Sequence, residues 1–371
     1  MVLLVSRTDQ NRFVARLRVS VVALFILGGC STVNQKTLVA EEASQLSEYG
    51  KKKNIAATTN KLFNEFDTFL TSQDINSGAI AVAFNGELVG VAGKNRRAKT
   101  PVKIASLSKA ITAVCVMKAL GNTTHSLQST LMDIIPDKLE LEPAGMGKLG
   151  SITIEELMSH KSGITIAHLS KQGRLINRYD KEQKDWQLRN IIKWTPHKII
   201  DGIYRYANAN YLILGIVIER LTDMSYESYC AQQVLTPNGI SNARLNPRWR
   251  ILSSYGGWEM SAEDYLKFAD AYFREDWQSQ FPNVNGLSRS SLVYGNYGLG
   301  ASKKTAFGRS SFRHSGSLTW NSSTHRARFA SYFIVNQNGF SVSLNYSNDG
   351  SQGRNAAIAS KIDRVLKDYE P

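Results

Sequence analysis

Apolar positions recur at helical spacing at several points along the chain, and the clearest run follows Ser106. Leu107, Ala110, Ile111, Val114 and Met117 share one side of a helix begun at Ser106, whose hydroxyl is placed to cap the free N–H groups of the first turn. Leu62, Phe63, Phe66, Phe69 and Leu70 predict an earlier helix. Leu212 to Glu219 predict a later one, and Ala356, Ile358, Ala359, Ile362, Val365 and Leu366 a last, amphipathic one. Strand patterns lie near both ends. Gly78–Phe84 and Glu87–Val91 flank Asn85-Gly86, a strong hairpin signal, and Ala327–Val335 and Phe340–Tyr346 flank Asn336-Gln337-Asn338-Gly339. The stretch from residue 106 to about 250 reads as helical or irregular. Together these patterns predict an α+β, α/β sandwich-like fold: one antiparallel sheet built from both termini and flanked by helices. A mostly helical lobe is inserted, with a cleft between the lobes.

Composition adds three things. At 42% hydrophobic and 20% charged, without low-complexity tracts, the 371 residues read as globular with a large core. The net charge of +14 is scattered and no nucleic-acid motif accompanies it, so no nucleic-acid partner is expected. It suits work beside an anionic envelope, or a solvated surface that repels its own copies. The N-terminus reads as an export signal: Arg7, Arg12, Arg16 and Arg18 precede an apolar run, Val19–Leu27, too short to anchor in a bilayer. It ends Leu27-Gly28-Gly29-Cys30, which resembles a bacterial lipobox; the alternative is a plain secretory signal with a chance Cys. The expected organisation is a lipoprotein signal peptide over 1–29, a lipidated Cys30, a polar tether over 30–57 and a domain over 58–371. The expected location is the cell envelope, on the periplasmic side, lipid-anchored to a bacterial membrane. Cys115 and Cys230 both sit in apolar helical patterns and read as two free, buried thiols.

The candidate chemistry starts with Lys109, three residues after Ser106 and therefore on the same helix face. An unprotonated amine there can help remove the serine proton. Tyr206-Ala207-Asn208 leads into an apolar helix that Tyr206 and Asn208 are placed to cap. Arg313-His314-Ser315-Gly316-Ser317 reads as the end of a strand, with a glycine that lets a ligand approach the backbone.

Taken in chain order, Ser106-Leu107-Ser108-Lys109 fits S-x-x-K, Tyr206-Ala207-Asn208 fits Y-x-N, and His314-Ser315-Gly316 fits a third box of the form H-x-G. In these the chain resembles the serine β-lactamase-like hydrolases, in the branch of class C β-lactamases, D-Ala-D-Ala peptidases and β-lactamase-fold esterases. Leu157–Ile164, and Tyr255–Trp258 with Ser261–Asp264, look like that family's supporting segments, and the resemblance covers residues 60 to about 370. It implies a β-lactamase/transpeptidase-like fold and an exported serine hydrolase that forms an acyl-enzyme on Ser106. Lys109 and Tyr206 would share the proton work in an order left open. Asn208 would hold Lys109 and the substrate, while the N–H groups of Ser106 and Ser317, beside Gly316, would form the oxyanion hole.

The chain departs from many relatives at His314, where a lysine is common. A histidine is mostly neutral at pH 7 and gains charge towards pH 6, which favours an ester, amide or modified peptide over a β-lactam. Arg313 and Arg326 are the cations that would otherwise meet a substrate carboxylate. The alternatives are a β-lactamase or D-Ala-D-Ala carboxypeptidase, and, from another class, a non-catalytic envelope-binding or sensor lipoprotein. The expected partners are a small acyl substrate or peptidoglycan-like peptide and, through Cys30, a membrane.

No metal or cofactor is expected. Gly145-Met146-Gly147-Lys148-Leu149-Gly150 satisfies G-x-G-x-x-G but lacks the preceding apolar strand a dinucleotide site needs. His160 and His168 lack metal-ligand company, and His160 reads as a structural hydrogen-bonding residue. The absence of G-x-S-x-G argues against an α/β-hydrolase.

Overall fold

The structure is a computed structural model that describes residues 35–139, 149–164, 188, 202–247, 253–274, 277–284, 297–306, 309–321, 326–348 and 355–369. Cys30, His168 and the glycines at 145 and 147 lie outside the described residues. The chain divides at Ala57/Thr58 into two units, the second running to Glu370. The long helix α1, Gln35–Ser72, begins well before the apolar face at Leu62, inside the segment read as a tether. Strong helix formers populate that segment, and Glu48 pairs with Lys52 one turn on at 2.7 Å.

The remaining helices are α2 (Ser108–Leu120), α3 (Leu131–Ile134), α4 (Pro136–Leu139), α5 (Ile154–Met158), α6 (Asn208–Thr222), α7 (Tyr226–Cys230), α8 (Ala262–Tyr272) and α9 (Asn355–Lys367). The strands are β1 (Ser77–Phe84), β2 (Glu87–Lys94), β3 (Val102–Lys103), β4 (Arg244–Leu245), β5 (Trp258–Met260), β6 (Tyr297–Gly298), β7 (Ala301–Ala306), β8 (Arg309–Asn321), β9 (Arg326–Asn336) and β10 (Phe340–Asn348).

Seven strands form one sheet in the order β2-β1-β10-β9-β8-β7-β6, every pairing antiparallel. β1 pairs with β10 from Ser77↔Ser347 to Phe84↔Phe340, so the two ends of the chain meet in the sheet as the strand pattern predicts. Asn85 and Gly86 both hold positive φ, 51° and 87°, which a tight two-residue hairpin turn requires. β1 is buried on both faces. Ala79, Ala81 and Ala83 pack with Ala262 and Leu266 of α8, while Gly78 faces Phe66 and Leu70 of α1. α9 shares the α1 side, with Lys361 against Glu65 at 2.5 Å. A three-stranded sheet, β3-β5-β4, leads the chain into the segment that holds Ser106.

Two local expectations change. Ser106 does not begin the long helix: it sits in a 3-10 turn over Ala105–Leu107, and α2 starts at Ser108 with no side-chain cap. Arg313–Ser317 is the middle of β8, not its end. β8 pairs with β7 only over Arg309–Arg313, while β9 pairs along Ser311–Asn321. From His314 onward β8 is therefore without a β7 partner on one side.

Cys115 and Cys230 form a disulfide, with Cα atoms 5.5 Å apart, instead of two free thiols. Both are fully buried, as their apolar patterns require, but α2 and α7 bring them face to face. Closing a loop with a sequence separation of 115 restricts the unfolded chain far more than the folded one.

Candidate active site

Ser106 is presented by a strained turn. Ala105, just before it, has φ 50°, a left-handed value that non-glycine residues seldom adopt. β8 crosses directly beneath. A Cβ on Gly316 would collide with the Ile104 carbonyl and the Ser331 hydroxyl and would sit 3.1 Å from the Ser106 nitrogen. A side chain at 316 would thus push β8 away from the Ser106 backbone.

In the first turn of α2, Lys109 is fully buried and aims its amine at Ser106, with Nζ 3.2 Å from Oγ. It also donates to the Tyr255 carbonyl at 2.8 Å, in a wide turn over Ser253–Gly257. The rings of Tyr206, Tyr255 and Tyr211 lie 5.0, 5.7 and 5.8 Å from Nζ. No carboxylate pairs with Lys109 among the described residues. Burial alone therefore acts on the amine and holds it well below the usual lysine range.

Tyr206 shares a side-chain hydrogen bond with Ser106, and burial pushes its phenol above the ordinary value. These opposite shifts favour Lys109 over Tyr206 as the acceptor of a proton. Neither Tyr206 nor Asn208 caps α6: its N-cap is Ala207, with no side-chain cap bond, so both side chains are left to the site. Asn208 Oδ1 is buried without a partner among the described residues.

His160 holds this loop from behind, in the hydrogen-bonding role read for it. The Ala207 N–H donates to His160 Nδ1 at 3.2 Å and the Asn210 amide lies 3.0 Å from the same atom, which leaves the proton on Nε2. The His160 ring packs 4.4 Å from that of Tyr206.

A cavity of 490 Å³, lined by Ser106, Tyr204, Tyr206, Tyr297, Arg313, His314, Ser315, Ser317 and Tyr332 among others, joins these groups to β8. His314 lies in its wall with Nε2 3.1 Å from the Tyr297 hydroxyl. Burial, helped by the charge that Lys109 would carry when protonated, lowers His314 to about 3. The expected gain of charge towards pH 6 therefore does not occur. Arg313 is not a free cation either: Nη1 meets both Asp363 oxygens, at 2.7 and 2.5 Å. The Arg326 side chain lies outside what is described. Arg328 is the guanidinium that reaches the strand, its Nε donating to Ser317 Oγ at 3.2 Å. No group of three or more His, Cys, Asp or Glu side chains fit for a metal occurs among the described residues.

Residues 62–359 match the Beta-lactamase family. The chain belongs to that family. Monacolin J acid methylbutanoyltransferase from Aspergillus terreus is 25% identical over 198 residues, covering 49% of this chain and 48% of the relative. This chain thus spans about half the length of the curated relatives it matches. Among solved structures, the octameric penicillin-binding protein homologue from Pyrococcus abyssi superposes with a TM-score of 0.65 at 17% identity, over 83% of this chain and 77% of that one. A D-amino acid amidase from Ochrobactrum anthropi SV3 reaches 0.63 at 13% identity, over 81% and 97%. The fold is therefore the β-lactamase/transpeptidase-like one, and the family's members are serine enzymes of hydrolysis and acyl transfer.

The motif patterns led to Ser106, Lys109, Tyr206, Asn208, His314, Gly316 and Ser317. Ser106, Tyr206, His314 and Ser317 line one cavity, Lys109 reaches Ser106 and Gly316 lies against its turn, whereas Asn208 is not among the lining residues and its Oδ1 does not hold Lys109. They did not lead to the Tyr255 carbonyl, Tyr297 or Asp363. A backbone acceptor leaves no side-chain signature, and the Arg313–Asp363 pair joins a strand to a distant helix. Tyr297 had a signal, the short Tyr297-Gly298-Leu299-Gly300 run before β7.

His160, buried, and His314, half-buried in the cavity wall, set a pH dependence. Folded His314 and His160 stay neutral far below 6.5, the ordinary histidine value, because burial disfavours their charged forms. From about pH 6.5 downward the unfolded chain binds protons the folded chain does not, so acidification removes stability and a return to neutral pH restores it. Melting temperature is expected to fall between pH 7 and pH 5, and His314→Gln should reduce that fall in thermal denaturation at the two pH values. A full-sized fall in His314→Gln would place the titration elsewhere.

Proposed function

We propose that the chain is an exported serine hydrolase that forms an acyl-enzyme on Ser106 and cleaves an ester or amide whose acyl part carries no carboxylate. The observation that carries this reading is the buried Lys109 amine, 3.2 Å from Ser106 Oγ and with no carboxylate partner among the described residues. A neutral amine accepts the Ser106 proton as Oγ attacks the acyl carbonyl. The N–H groups of Ser106 and Ser317 receive the oxyanion, as fixed dipoles that need no reorganisation. When the tetrahedral intermediate collapses, Tyr206, a neutral phenol, passes the proton from Lys109 to the departing oxygen or nitrogen. Water then attacks the ester, Lys109 again takes the proton, and Ser106 is regenerated.

The substrate preference follows from charge. His314 offers a neutral imidazole, Arg313 is neutralised by Asp363, and Tyr204, Tyr206, Tyr297 and Tyr332 line the cavity. Such walls favour apolar or aromatic groups. A β-lactamase or D-Ala-D-Ala carboxypeptidase would need a cation for the substrate carboxylate, and Arg328 beside Ser317 is the candidate. A binding or sensor module would have no use for a buried neutral lysine aimed at a serine, since burying the amine lowers stability without improving binding. The Arg-rich start and Leu27-Gly28-Gly29-Cys30 support export and lipid anchoring at Cys30 to the periplasmic face of a bacterial membrane.

Incubating the soluble domain with a nitrophenyl ester or a penicillin should give an acyl adduct that maps to Ser106 by peptide mass, and Ser106→Ala should remove it. Lys109→Ala is expected to slow acylation by ~10²–10⁴-fold. kcat/KM should be higher for the carboxylate-free ester, with the same ratio at pH 7.5 and pH 6.0. Faster turnover of the penicillin would move the carboxylate onto Arg328, and an adduct on another serine would end the assignment. In cells, Cys30→Ala should abolish acyl labelling and shift the protein from membrane to soluble or unprocessed material; unchanged fractionation would contradict the anchor.

A further inference from the structure

Beneath Lys109 runs a buried chain of hydrogen bonds outside the catalytic roles described above. Trp258 Nε1 lies 2.9 Å from Tyr226 Oη, which lies 2.6 Å from Thr112 Oγ1, which lies 2.5 Å from the Ser254 carbonyl oxygen. An indole N–H only donates and a carbonyl only accepts, so the two ends fix the direction of every bond between them. Trp258 donates to Tyr226, Tyr226 to Thr112, and Thr112 to Ser254, with the Ser108 carbonyl of its own helix a second, longer acceptor at 3.1 Å. All three side chains are buried, where bonds aligned head to tail strengthen one another and a missing member leaves its neighbour unsatisfied.

The chain ends one residue from the group that holds the lysine. Fixing the Ser254 carbonyl fixes the peptide plane leading into Tyr255, whose own carbonyl accepts from Lys109 Nζ at 2.8 Å. Thr112 lies on α2 one turn beyond Lys109, so the same helix supplies both the amine and the hydroxyl that orients its acceptor. The turn is also pressed closely from the other side. A Cβ on Gly215 of α6 would stand 2.6 Å from Ser254 Oγ and 2.8 Å from Ser254 Cβ. Packing alone could hold such a turn, yet the core here carries three polar groups in a single file.

We propose that Tyr226 and Thr112 are positioning residues for acylation, orienting the Lys109 amine through the Ser253–Gly257 turn. This rests on Ser106 being the acylated residue. An amine misplaced by a fraction of an ångström loses the alignment with Oγ on which proton transfer depends.

The test compares Tyr226→Phe, Thr112→Val, Thr112→Ser and the Tyr226→Phe/Thr112→Val double variant. Each is titrated for active sites with a fluorophosphonate, and the acylation rate per titrated site is measured with a nitrophenyl ester. Tyr226→Phe and Thr112→Val should each slow acylation about tenfold or more with KM little changed. Thr112→Ser, which keeps the hydroxyl, should stay within about twofold of wild type, and the double variant should be no slower than the slower single one. A structural role alone would lower melting temperature and the fraction of active sites but leave the rate per site intact. Full rates per site in Tyr226→Phe and Thr112→Val overturn the proposal, as does a Thr112→Ser variant as slow as Thr112→Val. The wild-type adduct separates the two readings. A wild type not acylated on Ser106 removes the proposed function and this inference with it, whereas normal wild-type acylation with unaffected variants removes only this inference.

Discussion

A buried lysine with no carboxylate partner among the described residues governs how the rest of the site is built. Moving an ammonium out of water costs several kcal/mol even after the protein relaxes, and an amine that finds no carboxylate sheds its proton instead. Among the described residues Lys109 meets a carbonyl oxygen, a serine hydroxyl and aromatic faces. The same burial raises the phenol of Tyr206 and lowers the imidazoles of His160 and His314. All four groups are thus shifted towards their uncharged forms, and among them an amine is the strongest base. In the proposed mechanism the stability lost by burying it is returned as nucleophile activation.

Holding that geometry takes segments from across the chain. α2 carries Lys109, α6 carries Asn208 just after Tyr206, the Ser253–Gly257 turn carries the acceptor carbonyl, and β8 carries His314 and Ser317. The sheet sets the last of these, because β8 gives up its β7 partner after Arg313 and leaves one side of the strand open near Ser106. Gly316 lets that strand lie against the Ser106 turn, and the Asp363 of α9 removes the charge of Arg313 from the cavity wall. Fold and electrostatics therefore act on the same few atoms.

Much of this was legible in the chain. The two hairpins emerged from alternation and turn chemistry because both are local, and Asn85-Gly86 adopts the positive φ pair its residues favour. The motif residues emerged because family chemistry demands particular side chains. The start of α2 did not, since Ser106 reads as a helix cap until its hydroxyl is seen committed to Lys109 and Tyr206. β6 and β7 stayed hidden: one is two residues long, and the other, Ala301–Ala306, carries Lys303 and Lys304 in place of an apolar alternation. The Cys115–Cys230 bond was misread as free thiols because two buried cysteines in apolar helices look alike whether or not the helices meet. The behaviour of His314 also escaped, as its value depends on burial that no pattern of neighbouring residues encodes.

The protonation state of Lys109 is the claim on which the account turns. Heteronuclear NMR of protein labelled at lysine Cε and Nζ, with Lys109→Met to assign the resonance, follows that amine through a pH titration. The account predicts a neutral-amine signal at pH 7.5 and a midpoint well below ~10.4, the ordinary lysine value. A Lys109 signal that stays cationic through neutral pH and titrates near that ordinary value would contradict it.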